Sequence, residues 1–378
     1  MLSFWEQKEL IHFDYIVVGS GITGLSTACV IKERKPNAQI LVLERGLLPT
    51  GASTKNAGFA CIGSLSEKVY DLALMGEEKL LQLIENRWIG LQLLRKRLGD
   101  TTIDFQNNGG YELILNHESN LFVDQLYMMN DRLKPIFKQD VFKEDKSKIG
   151  TFDFNANRLQ SMVVNSLEGQ INTGKMMNAL HQYASSLGIK IITGADVSVI
   201  EENDKYVLVH VNSLYNNIAF KASKLAICTN AFTRKLFPHL EINPGRGQVL
   251  VTSPISDLKV KGIFSFDEGF YYFRNFENRI IFGGGRNLDF DKEATTSFES
   301  NEKIIAQLQK YLNEMIIPNH TYTIEQTWTG IMAFGSNKLP LLQSISDRIA
   351  IGVRLNGMGV ALGSKIAEDL ADILLSDD

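Results

Sequence analysis

The stretch "DYIVVGSGITGLSTACVIKERKPNAQILVLERG", Asp14 to Gly46, joins an apolar run to a glycine-rich turn, a helical segment and an acid. Ile16, Val17 and Val18 form a β-branched run of the kind that a parallel sheet buries on both faces. Gly19, Gly21 and Gly24 follow at G-x-G-x-x-G spacing, and Ile22 to Lys35 reads as a helix stopped by Pro36. Such glycines permit a tight turn, the approach of a pyrophosphate to backbone N–H groups, and close contact of helix with strand. "QILVL" supplies a second strand, and Glu44 at its end stands 20 residues beyond Gly24, where a carboxylate accepts both ribose hydroxyls of an adenosine. That carboxylate also disfavours a 2′-phosphate, although Arg45 stands beside it. The unit predicts an adenosine diphosphate site and leaves NAD and FAD equal.

The rest of the composition narrows the partners. At 378 residues the chain is long enough for two domains, and 44% hydrophobic with 22% charged residues is ordinary for a globular enzyme. A net charge of -4 without a long basic run gives no footprint for nucleic acid, so a small molecule is the expected partner. Cys29, Cys61 and Cys228 are isolated, which points away from a disulfide framework and toward a reduced, cytoplasmic setting. The N-terminal "MLSFWEQKELIHF" is broken by Glu6, Lys8 and Glu9 and lacks the apolar core of a secretory signal; no run is long enough to predict a transmembrane segment. The six histidines show no metal-ligand spacing, and no metal is expected.

Along the chain, "RGLLPTGASTKNAGFA" follows the second strand and belongs near the carboxyl ends of the sheet, where Ser53, Thr54 and Asn56 offer donors without bulk. Residues 66–98 are apolar at helical spacing and read as packing helices in two or more pieces. "DFQNNGGYELIL" reads as a hairpin, and the lysine-rich stretch 138–148 as a solvated connection. A helix from Thr173 to Leu187, short extended runs and the strand "KLAICTNAF" restore the alternation of helix and strand, as though the nucleotide domain resumes after an insertion. From Ile242 to Trp328 β runs predominate, broken by a helix at 302–315. The chain closes with a strand, a glycine turn at Gly357 and Gly359, and a helix beginning near Met358. Backbone N–H groups there can face a group carrying developing negative charge.

In this order the segments "VVGSGITGLSTA", "LERG", "GASTKNAGF", "GADVSVIE", "AICTNAF", "PGRGQVLVT", "YYFRNFENRIIFGGG", "TWTGIMAFGSNKLPLL" and "NGMGVALGSKIAEDLAD" span nearly the whole chain. They resemble the flavin-dependent D-amino acid oxidase superfamily, the group of glycine oxidase, sarcosine oxidase and the γ-glutamylputrescine oxidoreductases. The resemblance implies a two-domain α/β chain: a discontinuous Rossmann-like FAD-binding domain (1–100, 150–236 and 336–378) and an antiparallel-sheet substrate domain (101–149 and 237–335). It further implies that Gly19, Ser20, Gly21, Ile22, Thr23 and Gly24 cradle the pyrophosphate, and that Glu44 and Arg45 lie at the ribose. Ala52, Ser53, Thr54, Lys55, Asn56, Ala57 and Gly58 form the loop from pyrophosphate to flavin. Val197 meets the adenine, Thr229, Asn230 and Gly330 flank the cofactor, and Asn356, Gly357, Met358, Gly359 and Val360 face the flavin N1/C2 edge.

Departures from the family pattern bear on the substrate. The cysteine that sarcosine oxidase-like members use for covalent attachment would fall within "GIMAFGS", which has none, so noncovalent FAD is expected. The arginine that follows W-S-G-I in glycine oxidase-like members and pairs with the substrate carboxylate is Met332 here, and a lysine kept over the flavin falls near Ile281. Arg274 and Arg354 are the replacement cations expected at the substrate, and Tyr271, rather than Tyr272 on the opposite strand face, is the expected substrate-facing tyrosine. Arg246 is expected to organise the domain crossover. The expected reaction is oxidation of the C–N bond of a small amine or amino acid by hydride transfer to flavin N5, with oxygen as acceptor. A dehydrogenase of a 2-hydroxy acid or polyol phosphate using a quinone or carrier, and a non-catalytic flavoprotein subunit, are the alternatives.

Overall fold

A computed structural model describes residues 2–117, 122–212 and 217–376. Its first sheet has a parallel centre in which Ile349–Val353, Asn217–Ile227, His12–Val18, Ile40–Leu43 and Lys190–Ile192 lie side by side. Both faces are covered, as the β-branched run requires. Val17 packs with the helices Ile22–Arg34, Thr173–Ser186 and Gly359–Leu375, while Ile16 and Val18 pack with the antiparallel strands Asp196–Glu202 and Val207–Asn212 on the opposite face. Residues 66–98 form two helices, Leu65–Met75 and Glu77–Leu98. Among the described residues, no helix is long and apolar enough to cross a membrane.

The second sheet runs Ile324–Phe334, Asn243–Thr252, Arg279–Gly284, Tyr271–Phe276, Ile263–Phe266, Gly110–Leu115, Leu159–Asn165 and Phe142–Glu144. One of its faces carries an aromatic core in which Phe264, Phe266, Tyr271, Phe273 and Phe282 pack with Ile304, Ile305 and Leu308 of the helix Glu302–Tyr311. The other face turns toward the first sheet.

Three expectations are corrected here. Leu159–Asn165 pairs with Gly110–Leu115 and Phe142–Glu144, so the chain is still in the second sheet at residue 150 and returns to the first only after this strand. The stretch 104–115 is no hairpin: Gln106 bridges to Gln170, and Gly110–Leu115 pairs with strands distant in sequence. Within the lysine-rich stretch, Phe142 is buried against the helix Phe122–Phe137, so that segment is an edge strand rather than a solvated connection.

Candidate active site

A cavity of about 910 Å³ lies between the two sheets and opens with the glycine turn after the first strand. Gly19 adopts φ +104°, and a Cβ on it would meet the Cys228 carbonyl oxygen at 2.7 Å. The Ser20 amide and hydroxyl both donate to Glu44 Oε2 (3.1 and 2.9 Å), and the Gly46 amide donates to Oε1 (3.0 Å). These donors aim a buried carboxylate at the cavity wall. The Arg45 guanidinium stacks on Phe232 at 3.5 Å, and Val197 lines the same end.

The next section of wall is the loop after the second strand. Ser53 Oγ accepts from the Ile22 amide (2.9 Å), and Asn56 Oδ1 accepts from the Gly58 amide and the Thr173 hydroxyl, both at 2.9 Å. Trp328 Nε1 donates to the Lys55 carbonyl at 2.9 Å, and the bare face of Gly330 leaves room for the Lys55 stem. The closing turn completes the cradle: Arg354, Asn356 and Gly357 all have positive φ, and Asn230 Oδ1 accepts from the Arg354 amide at 3.1 Å. Left-handed backbone at non-glycine residues costs about 1 kcal/mol or more each and gathers where a ligand is held. Ala52, Ala57, Thr229, Met358, Gly359 and Val360 line the cavity with these residues, as do Gly21 and Thr23. Ser20, Gly24, Thr54 and Gly58 stand behind the wall as supports; Thr54 Oγ1, for example, donates to the Pro49 carbonyl at 2.8 Å. The glycine turn, fixed carboxylate and helix N-terminus have the chemistry of a dinucleotide site.

Beyond the cradle the second sheet contributes a sparse face. Gly247 and Gly330 are opposite one another in the ladder, Gly245 is opposite Met332, and Gly283 is opposite Tyr272. The Tyr272 ring lies against Gly283 and meets Phe59 edge to face at 5.6 Å; burial pushes its phenol up to about 12. Met332 lies near the closing turn, its sulfur 3.4 Å from where a Cβ on Gly357 would be.

The three residues expected at the substrate do not line this cavity. Tyr271 faces the aromatic core, stacked on Phe266 with centroids 5.0 Å apart and edge-on to Tyr311 at 4.9 Å. Alternation along the strand therefore gives the cavity to Tyr272. Arg274 shares the Tyr272 side, but its guanidinium donates to the Gly58 carbonyl (3.0 Å) and the Ile171 carbonyl (2.6 Å), tying the second sheet to the loop. Burial lowers its pKa to about 10. Arg354 turns away to the Glu241 carbonyl (3.1 Å) and carboxylate (3.2 Å). Arg246 pairs with buried Glu293 at 2.8 Å, within the second sheet's own surroundings.

A buried charge cluster on the far wall has no signal in the sequence beyond helical spacing. Lys68 donates to the Ile62 and Gly63 carbonyls (2.7 and 2.9 Å), Arg87 to the Ile62 carbonyl (2.8 Å) and Glu67 (3.1 Å). Glu168 Oε1 accepts from the Ile62 and Gly63 amides at 2.8 and 3.0 Å, and Glu112 accepts from the Leu65 amide at 2.8 Å at the start of a helix. Burial drives the Glu168 carboxyl from 4.5 up to about 7 against the pull of Lys68 and the two amides. A raised folded-state pKa gives stability that is present below about 4.5 and lost as pH rises through about 7. Glu168→Gln, which keeps the acceptor and removes the charge, is expected to match the native chain at pH 4 and exceed its Tm by about 2–4 °C at pH 8. Thermal unfolding at the two pH values checks this, and parallel pH dependences would refute it.

Residues 14–373 match the family described as DAO, FAD dependent oxidoreductase. This chain belongs to that family. Its members and this chain are accordingly FAD-dependent oxidoreductases. In sequence, no curated protein matches the chain. Among solved structures, L-proline dehydrogenase from P. horikoshii is similar with a TM-score of 0.79 at 15% identity, over 97% of this chain and 94% of that one. Iminodiacetate oxidase from Chelativorans sp. BNC1 (TM-score 0.75, 18% identity) and glycine oxidase from Geobacillus kaustophilus (TM-score 0.73, 18% identity) are each covered over 96% of this chain and 95% of theirs. At these identities the likeness establishes the fold. The residues fit FAD: bare glycine in the wall would let backbone approach a phosphate, and the fixed Glu44 carboxylate would offer a ribose an acceptor.

Proposed function

We propose that this chain oxidises the C–N bond of a small amine or amino acid, with noncovalently bound FAD as the first electron acceptor and oxygen as the second. The observation that carries this reading is the continuity of the cavity, which runs from Glu44 past Lys55, Gly330 and Met358 into a chamber walled by Phe59, Tyr272, Met332 and Phe334. FAD held along the cradle supplies a hydride acceptor at N5.

The chain's own part is positional. The rings of Phe59 and Tyr272 and the Met332 thioether form an apolar wall that keeps water from the reacting carbon. A neutral amine can release the electron pair of its C–H bond without a protein base, so fixed orientation carries most of the step. The imine then takes up water to give a carbonyl compound and ammonia or an amine, while oxygen is reduced to hydrogen peroxide. The proline, glycine and iminodiacetate named for the similar structures are C–N compounds, which supports the reading. Cys61 and Cys228 line the cavity with thiols that burial raises well above their ordinary range, a poor state for covalent attachment.

Anaerobic mixing of the yellow protein with a panel of amines, amino acids and 2-hydroxy acids tests this. An amine or amino acid is expected to bleach the flavin, with air restoring the colour and releasing peroxide. Bleaching by a hydroxy acid and by no amine would overturn it.

A further inference from the structure

The cations on the cavity wall differ in what neutralises them. Lys235 pairs with Asp196 at 2.6 Å and Lys338 with Asp71 at 2.7 Å. Arg45 stands at the ribose end beside Glu44 and Asp196, and Lys55 belongs to the cofactor loop. Arg45 and Lys55 share with Arg286 the lack of a side-chain hydrogen bond or ion pair among the described residues, but Arg286 stands beside Gly245, opposite Met332. Just beyond the strand Arg279–Gly284, its guanidinium carbon lies 4.0 Å from the Phe334 ring centroid and 5.0 Å from that of Phe290, and among the described residues its side chain makes no hydrogen bond or ion pair. Glu293 acts on it only at longer range and is already bound by Arg246, Gln248 and Asn301. Burial weighs against its charge, so the group loses water without gaining an anion.

Its position is as informative as its lack of a partner. Nη1 lies 3.1 Å from where a Cβ on Gly245 would be, and Gly245 is directly opposite Met332 in the ladder. Cross-strand neighbours are separated by about 5 Å between Cβ atoms, so the guanidinium reaches the chamber at the level of the Met332 side chain. Contact with two aromatic rings restricts the fork, and its N–H groups have no protein acceptor among the described residues. A planar fork of this kind matches a carboxylate with two parallel hydrogen bonds.

We infer that Arg286 is the substrate's anion anchor, and that the amine taken by this chamber carries a carboxylate. The inference rests on the function proposed above, narrowing its substrate class, and it assigns the anchor to the loop after Arg279–Gly284. Phe334 and Phe290 are then positioning residues that hold the fork.

The test is a titration of the oxidised, FAD-loaded protein with benzoate and with benzamide, followed by the shift in flavin absorbance. The native chain is expected to bind benzoate at least tenfold more tightly than benzamide. Arg286→Met is expected to lower benzoate affinity about 10- to 100-fold and leave benzamide affinity unchanged, the range for a charge-assisted hydrogen bond. Arg286→Lys, with the charge but not the fork, falls between. FAD content and Tm should stay at native values, and if Arg286→Met does not retain FAD, Arg286→Gln takes its place with the same expectation. Equal benzoate affinity in the native chain and the charge-free variant, or a native chain indifferent to the benzoate charge, would overturn the anchor. Since the titration needs no turnover, a protein that binds benzoate through Arg286 but is reduced by no amine would fail the proposed reaction and keep the anchor.

Discussion

Replacing Gly24 by alanine is expected to weaken FAD binding by roughly 10- to 100-fold, although alanine is the better helix former. A Cβ at position 24 would stand 1.9 Å from the Gly19 carbonyl oxygen, a backbone atom that cannot swing aside like a side chain. Gly19 is itself held at φ +104° against Cys228, so the methyl group displaces the turn that we propose faces the pyrophosphate. Overpacking of this kind costs about 1–3 kcal/mol, which exceeds the gain of at most about 1 kcal/mol from removing a helical glycine. The flavin-to-protein absorbance ratio after exhaustive dialysis measures the loss. Gly150→Ala is the control, because a Cβ there meets nothing within 4 Å. Native FAD retention in Gly24→Ala would show that the turn does not position the cofactor.

Arg274→Met is expected to lower the Tm of the FAD-loaded protein by about 1–4 °C. Removing the guanidinium strips the Ile171 carbonyl of its 2.6 Å donor and leaves the Gly58 carbonyl with the Ile171 amide alone. An orphaned buried carbonyl costs about 1–3 kcal/mol. The methionine stem fills the space and relieves the desolvated charge, which keeps the loss moderate. Arg274→Lys is expected to recover part of it by reaching one carbonyl. Because Arg274 ties two parts of the chain together and does not line the chamber, the KM of the flavin-loaded fraction should be unchanged. A native Tm with a raised KM would instead place Arg274 at the substrate.

The glycine turn and carboxylate that form one end of the cavity were legible in the sequence because they are local. Gly19, Gly21 and Gly24 are spaced along one turn, and Glu44 is one crossover away. Tyr271 and Tyr272 were harder for a definite reason: alternation says that they face opposite ways, but both faces of their strand are covered, one by the aromatic core and one by the cavity. Which face is which depends on where the helix Glu302–Tyr311 docks. Arg274 is on the cavity side as its parity with Tyr272 requires, yet its partners come from residues 58 and 171, which no spacing rule brings together. Leu159–Asn165 was assigned to the wrong sheet because its partners are equally remote in sequence. Lys68, Asp71 and Arg87 fall among the apolar positions of packing helices, where periodicity counts hydrophobic residues and passes over ion pairs.

The sparse face of the second sheet bears on how the chamber can change. Its room is kept as missing side chains, at Gly245, Gly247, Gly283 and Gly330, on a hydrogen-bonded ladder. At Gly247 an added methyl would press at 3.0 Å on the end of the flexible Met332 side chain, while at Gly283 it would lift the Tyr272 ring from its seat. New ligand preferences are therefore accessible through single codon changes of graded size.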